Sequence, residues 1–165
     1  MNMNAEITTW ARRLGELLQQ RNWMATTAES CTGGGVAYAI TEIAGSSLWF
    51  DRSFVTYTNQ AKEALLGVSS QLLQCHGAVS QAVVEAMACG ALQRADAQLS
   101  VAISGIAGPG GGSEEKPVGL VWFAWATAGE VPTLKSQSFL FSGDRHSVRE
   151  QAILTALQGM CKLIQ

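Results

Sequence analysis

The sequence predicts an α/β protein: a three-layer α/β/α sandwich around a mixed, mostly parallel sheet. Three observations lead there. Early in the chain, short apolar or β-branched runs alternate with stretches of helical periodicity, as in a parallel sheet. The last three strand candidates are nearly consecutive, which makes the sheet mixed. The 165 residues, 47% apolar and 15% charged, suffice for one domain with a real core, so residues 1–165 read as a single unit.

Residues 5–21 carry Ile7, Trp10, Leu14, Leu17 and Leu18 at helical spacing. Met24–Thr27 reads as a strand, and Val36, Ile40 and Ile43 mark the helix after it. Ser53–Tyr57 is a second strand by its aromatic and β-branched content. Thr58-Asn59 offers an N-cap for a short helix over Gln60–Leu66, ended by Gly67. A further short helical piece follows Ser69, and Ser80 caps a longer helix to about Arg94, with Val84, Met87, Ala88 and Ala91 inward. Leu99–Ser104 and Val118–Ala126 are buried-strand candidates. Leu134–Phe141 is the last strand. Asp144 caps a final helix with Ile153, Leu157, Met160 and Ile164 on its core face.

Composition narrows the function. A net charge of −2 without a basic block argues against nucleic acid or an anionic membrane as partner. No apolar run reaches transmembrane length, and the N-terminus lacks a signal pattern. The four cysteines, Cys31, Cys75, Cys89 and Cys161, form no CxxC pair and read as free cytoplasmic thiols. Cys75-His76 alone cannot make a metal site. The five tryptophans read as core.

Three strand candidates run into polar or glycine-rich loops: Ser30–Gly35, Tyr57–Lys62 and Ser104–Gly112. Loops beyond strand ends build the ligand crevice of open α/β sheets, so these three are expected to converge. Eight of the 17 glycines fall in the first and third, which suits close backbone approach to a ligand. Ser30 or Cys31 sits where a nucleophile can attack, with N–H groups behind it for a developing oxyanion. With Asn59 as N-cap, Lys62 is the third helical residue, at the end of the helix dipole unfavourable to a cation. Dipole, burial and neighbours would lower its pKa from about 10.4 towards neutrality. A neutral Lys62 could take the Ser30 proton directly or through the Tyr57 hydroxyl. Cys31 is the rival nucleophile, but needs a base, and neither His76 nor His146 lies beside a crevice loop. The residue next to Ser30 on a strand end also points the other way.

The loop after Ser104 can cradle phosphate through successive N–H groups or be a flexible hairpin loop. Arg145 and Arg149, four apart on one helix face, can hold phosphate together or pair with surface acids. Ser113–Lys116 reads as a solvated turn. Glu29 can balance a cationic substrate or serve as a structural acceptor.

Five ordered motifs carry a resemblance: Thr27-Ala28-Glu29-Ser30-Cys31-Thr32-Gly33-Gly34, Phe54–Lys62, Gly77-Ala78-Val79-Ser80, Ser104–Gly111 and Gly143-Asp144-Arg145. Together they are similar to the CinA C-terminal domain family, over nearly the whole chain. The likeness is to its stand-alone form. The family often has Ser-Asn-Glu where this chain has Thr58-Asn59-Gln60, and Ser-Glu where it has Ser80-Gln81; neither departure touches the implied catalytic set. The resemblance implies a nicotinamide-nucleotide amidohydrolase that releases ammonia from nicotinamide mononucleotide. It implies a catalytic set falling on Ser30, Tyr57 and Lys62, with no metal or organic cofactor. Substrate-binding candidates are Cys31, Thr32, Gly33 and Gly34, then Asn59, then Gly105, Ala107, Gly108 and Gly110, with Arg145. The expected partner is a small pyridine nucleotide, and the expected assembly a homo-oligomer, a dimer foremost. The rival readings are a catalytically silent nucleotide-binding paralogue and a Cys31-dependent amidase or esterase.

Overall fold

Asn4 accepts from the Glu6 N–H and opens helix α1 (Ala5–Arg21), whose Ile7, Leu14, Leu17 and Leu18 are buried as the spacing predicts. The elements after it in the computed structural model, which describes residues 4–165, are β1 (Ala25–Glu29), α2 (Gly35–Thr41), β2 (Phe50–Val55), α3 (Asn59–Leu66), α4 (Ser70–His76) and α5 (Gln81–Arg94). Three strands and a helix complete the chain: β3 (Leu99–Gly105), β4 (Leu120–Thr127), β5 (Thr133–Leu140) and α6 (Arg145–Ile164).

The strands form one sheet in the order β2-β1-β3-β4-β5. Strand β1 runs parallel to both neighbours, and β3–β4 and β4–β5 are antiparallel. The sheet is therefore parallel where β1 lies and antiparallel beyond β3. Helices α1, α2 and α6 pack together on one face, and α3, α4 and α5 on the other, giving the expected three layers.

Strand alternation divides the core. Leu99, Val101 and Ile103 of β3 and Val121, Phe123 and Trp125 of β4 point to the α1/α6 layer. Ala28, Ala102, Ala124 and Ala126 face α5, and these small side chains let that helix lie close to the sheet. The Ser100 hydroxyl donates to the Ala88 carbonyl of α5 at 2.9 Å. Trp125 sets the position of α6: its indole Nε1 donates to the Ala156 carbonyl at 3.0 Å. A Cβ at Gly159 would fall 2.1 Å from that ring, so glycine there is what admits the indole.

Two of the boundaries that differ from the sequence reading bear on the cleft. Strand β2 starts at Phe50 and stops at Val55, so Tyr57 leaves the sheet. Asp51 and Arg52 hide the strand's start, because an edge strand tolerates charge that a central one does not. Thr58, not Asn59, caps α3: its hydroxyl accepts from the Ala61 N–H at 3.1 Å. Lys62 is thereby the fourth helical residue and Asn59 the first. No helix among the described residues is long and apolar enough to cross a membrane.

Candidate active site

Because β1, β2 and β3 are parallel and in register, Glu29 lies between Val55 and Ile103, and all three strands end at one edge. The three loops that follow them converge there, as expected. They line a cleft of about 270 Å3 together with Ala78 and Val79 before α5 and Arg145 at the start of α6. A larger groove, about 450 Å3, runs between β5 and α6 beside Lys135 and Lys162, and no candidate residue lines it.

Ser30 is next in alternation after Ala28 and faces the α3 side. Its N–H donates to the Ile103 carbonyl at 3.0 Å, which prolongs the sheet by one bond. From α3, Lys62 reaches beneath the ends of β1 and β2. Its Nζ lies 3.0 Å from Ser30 Oγ and donates to the Thr56 carbonyl at 2.7 Å. Lys62 is only 1% exposed and Ser30 8%. Burial lowers the Lys62 pKa to about 8, with Cys31 pulling weakly the other way. The amine can therefore be uncharged near physiological pH.

Cys31 turns towards the opposite layer, into the cluster built on α1 and α6, although it also borders the cleft. Burial pushes its thiol up to about 11, against the smaller opposing influence of its own backbone hydrogen bond and of Arg149. At neutral pH it is a protonated thiol, a poor nucleophile. His76 and His146 are exposed and do not line the cleft.

Tyr57 is 58% exposed at the mouth of the cleft. Arg145 Nη2 donates to its hydroxyl and Nη1 to the Gly108 carbonyl, both at 2.8 Å. The arginine thus straps the loop after β2 to the loop after β3. The Tyr57 hydroxyl is engaged with Arg145, and the amine meets the serine without a relay. Arg149 does not join Arg145 in this. Its Nε donates to the Cys31 carbonyl at 3.0 Å and its Nη2 to the Thr32 carbonyl at 3.3 Å.

Of the substrate-binding candidates, Cys31, Asn59, Gly105, Ala107, Gly108, Gly110 and Arg145 line the cleft. Thr32, Gly33 and Gly34 do not. Thr32 is fully buried and donates its hydroxyl to Glu29 at 2.7 Å. Gly33 and Gly34 have φ of 58° and 93°, the left-handed turn that redirects the chain into α2. Ala78, Val79 and Gly111 also line the cleft. The first two sit in a motif noted in the sequence, but apolar side chains before a helix carry no chemical signal.

Glu29 is structural. Its buried carboxylate accepts from the Val36 N–H at 2.9 Å and the Ala37 N–H at 3.0 Å, and from Thr32. The Thr27 and Ser53 hydroxyls lie at 3.2 Å. It caps α2 where Gly34 has no side chain to do so. With its oxygens so occupied, it is not free to balance a substrate charge. Glu29→Gln would turn an amide N–H2 against these donors. We expect it to lower unfolding free energy by about 3 kcal/mol, read as a shifted denaturant midpoint at constant slope.

Among the described residues, no group of three or more His, Cys, Asp or Glu side chains is placed to hold a metal ion. The chain is 56% identical over 156 residues to the nicotinamide-nucleotide amidohydrolase PncC of Escherichia coli, covering 94% of this chain and 93% of that protein. It is 52% identical over 157 residues to the protein of the same name from Pseudomonas putida, covering 95% and 96%. The crystal structure of the competence/damage inducible protein CihA from Agrobacterium tumefaciens superposes with a TM-score of 0.96 at 44% identity, covering 100% of this chain and 99% of that one. A model of the CinA C-terminal domain matches residues 7–164. The sheet order, the convergent loops and this sequence match together place the chain in the CinA C-terminal domain family.

Proposed function

We propose that this protein hydrolyses nicotinamide mononucleotide to nicotinate mononucleotide and ammonia, with Ser30 as nucleophile and Lys62 as its base. The observation that carries the reading is the 3.0 Å contact between the Lys62 amine and Ser30 Oγ in a buried site. The activity named for the two amidohydrolase relatives supports the choice of substrate.

Uncharged Lys62 keeps one N–H on the Thr56 carbonyl and offers its lone pair to the Ser30 hydroxyl. Oγ attacks the carboxamide carbon as its proton passes to Nζ. The pyridinium ring draws electrons from the carboxamide and makes that carbon easier to attack. N–H groups of the turn after Ser30 stabilise the oxyanion. The C–N bond then breaks, the Lys62 ammonium protonates the leaving nitrogen, and ammonia departs. Water attacks the resulting ester, again losing its proton to Lys62; the bond from Oγ to the acyl carbon breaks as Nζ returns that proton to Ser30, and nicotinate mononucleotide is released. Backbone N–H groups of the Ala107–Gly111 loop suit the substrate phosphate. Arg145 retains three of its five N–H donors beyond those given to Tyr57 and Gly108. Tyr57 shapes the mouth of the cleft.

The test is release of ammonia from nicotinamide mononucleotide by the wild-type protein across pH. Because the proton must be off Lys62, kcat/KM should rise with pH through a midpoint of about 8. Tight binding of the nucleotide with no ammonia at any pH would make the protein a silent binding module instead.

A further inference from the structure

The chain leaves the sheet after Ile106, whose N–H donates to the Leu120 carbonyl and whose own carbonyl accepts from the Gly119 N–H. Residues 107–118 then form an arch that lines the cleft with Ala107, Gly108, Gly110 and Gly111. Among the described residues, the N–H groups of these four donate to no protein acceptor. Two side-chain bonds tie the arch to other elements. Arg145 Nη1 holds the Gly108 carbonyl near one end. Lys116 holds the other end: its Nζ donates to the carbonyl of His76, the last residue of α4, at 2.5 Å. Between the two ties, residues 109–115 are all exposed. Ser113 and Lys116 close a turn on each other through their main chains, with the Ser113 N–H on the Lys116 carbonyl at 2.8 Å. The Lys116 side chain leaves that turn and is half-buried against α4.

We propose that Lys116 is a positioning residue that holds the glycine arch in the form that receives the substrate phosphate. The proposal rests on the nucleotide reading above. Lys116 fastens the arch to another wall of the cleft, because His76 lies just before Ala78 and Val79, which line it. That wall is itself fixed: the Ser80 hydroxyl caps α5 and donates to the Gly77 carbonyl at 2.8 Å. A second observation is that the joint is shaped around the amine. Gly77 has φ of 72°, and a Cβ there would lie 3.0 Å from Lys116 Nζ. Glu114 and Glu115 are next to Lys116 in the chain, yet among the described residues it pairs with neither. Its charge goes instead to the carbonyl end of α4, where a cation is favoured. An arch held at both ends does not have to be ordered by the substrate as it binds. Without Lys116, the exposed residues 109–115 keep only the Gly108 tie, and the phosphate has to supply their ordering. Lys116 does not line the cleft, so it acts through the arch and not on the substrate.

Steady-state ammonia release by Lys116→Met and Lys116→Arg tests this, with nicotinamide mononucleotide and with nicotinamide riboside, which lacks the phosphate. Lys116→Met should raise KM for the mononucleotide about tenfold and keep kcat within about threefold of wild type, since the tie serves binding and not the chemical step. On the riboside, kcat/KM should be the same in both proteins. Lys116→Arg retains a charged donor and should return KM to within about threefold of wild type. An unchanged KM in Lys116→Met, an equal loss on the riboside, or an arginine variant as poor as the methionine one would overturn the proposal. So would a loss matched by the unfolded fraction in a thermal melt. If wild type releases no ammonia, the amidase reading fails by itself. Calorimetric titration with nicotinamide mononucleotide then reads the arch. Affinity about tenfold weaker in Lys116→Met supports the proposal, and equal affinity, or no binding by wild type, overturns it.

Discussion

Ser30→Ala is expected to reduce ammonia release from nicotinamide mononucleotide by about 10^4-fold or more, because removing a nucleophile ends covalent catalysis and leaves only binding and preorganised donors. Cys31→Ala should cost less than about tenfold. The two residues are adjacent, so the contrast is a strict one. Ser30 Oγ lies 3.0 Å from the Lys62 amine, whereas the Cys31 thiol is held protonated by burial, with a pKa of about 11. Replacing the thiol removes one buried atom, at about 1 kcal/mol of stability. Ammonia release retained in Ser30→Ala and abolished in Cys31→Ala would exchange their roles.

Lys62→Met should silence the enzyme and stabilise the fold. General-base catalysis is worth about 10^2 to 10^4-fold, and the loss should lie at the upper end because in the proposed mechanism the same amine also protonates the leaving group. For stability, the sign follows from the proton count. The folded pKa, about 8, lies below the ordinary 10.5 of a lysine. Between those values the unfolded chain binds more protons, so stability rises with pH there, and below pH 8 the whole cost of the buried ammonium is present. That cost is about 3 kcal/mol. Methionine removes it but leaves the Thr56 carbonyl without its donor, which offsets about 1 kcal/mol. The variant should gain about 2 kcal/mol at pH 7, and the gain should disappear above pH 10.5. Denaturant melts of both proteins at pH 7 and at pH 10.5 measure it. A variant less stable than wild type at pH 7 would mean that the amine's hydrogen bonds outweigh its desolvation.

Much of this was legible in the sequence, and the parts that were not share a cause. Residues such as Ile153, Leu157, Met160 and Ile164 announce a helix face by spacing alone, and all are buried. The three crevice loops could be named because strand ends and glycines are local signals. The cap of α3 was narrowed to Thr58 or Asn59, since both types cap; only the Ala61 N–H chooses between them. Lys62 was recognisable as out of place near a helix start, yet whether it reached Ser30 directly or through Tyr57 depends on how deeply α3 tucks under the sheet. Arg145 and Arg149 share a helix face and are nonetheless parted, one to Tyr57 and Gly108, the other to the carbonyls after Ser30. One helical turn separates them, and what each meets is set by the opposing loops, which periodicity does not describe.

The alternation of β1 carries a constraint that no single substitution reveals. Counting from Ala28, even-numbered residues reach Ser30 and the amine, and odd-numbered ones lead to Cys31 and the far layer. A one-residue deletion anywhere within the strand would exchange that parity, setting a sulfur where the oxygen had been. Such a frame error leaves every functional residue in the chain yet dismantles the reaction. The spacing between the start of the strand and its last residue is therefore under as tight a restriction as the identity of the proposed nucleophile.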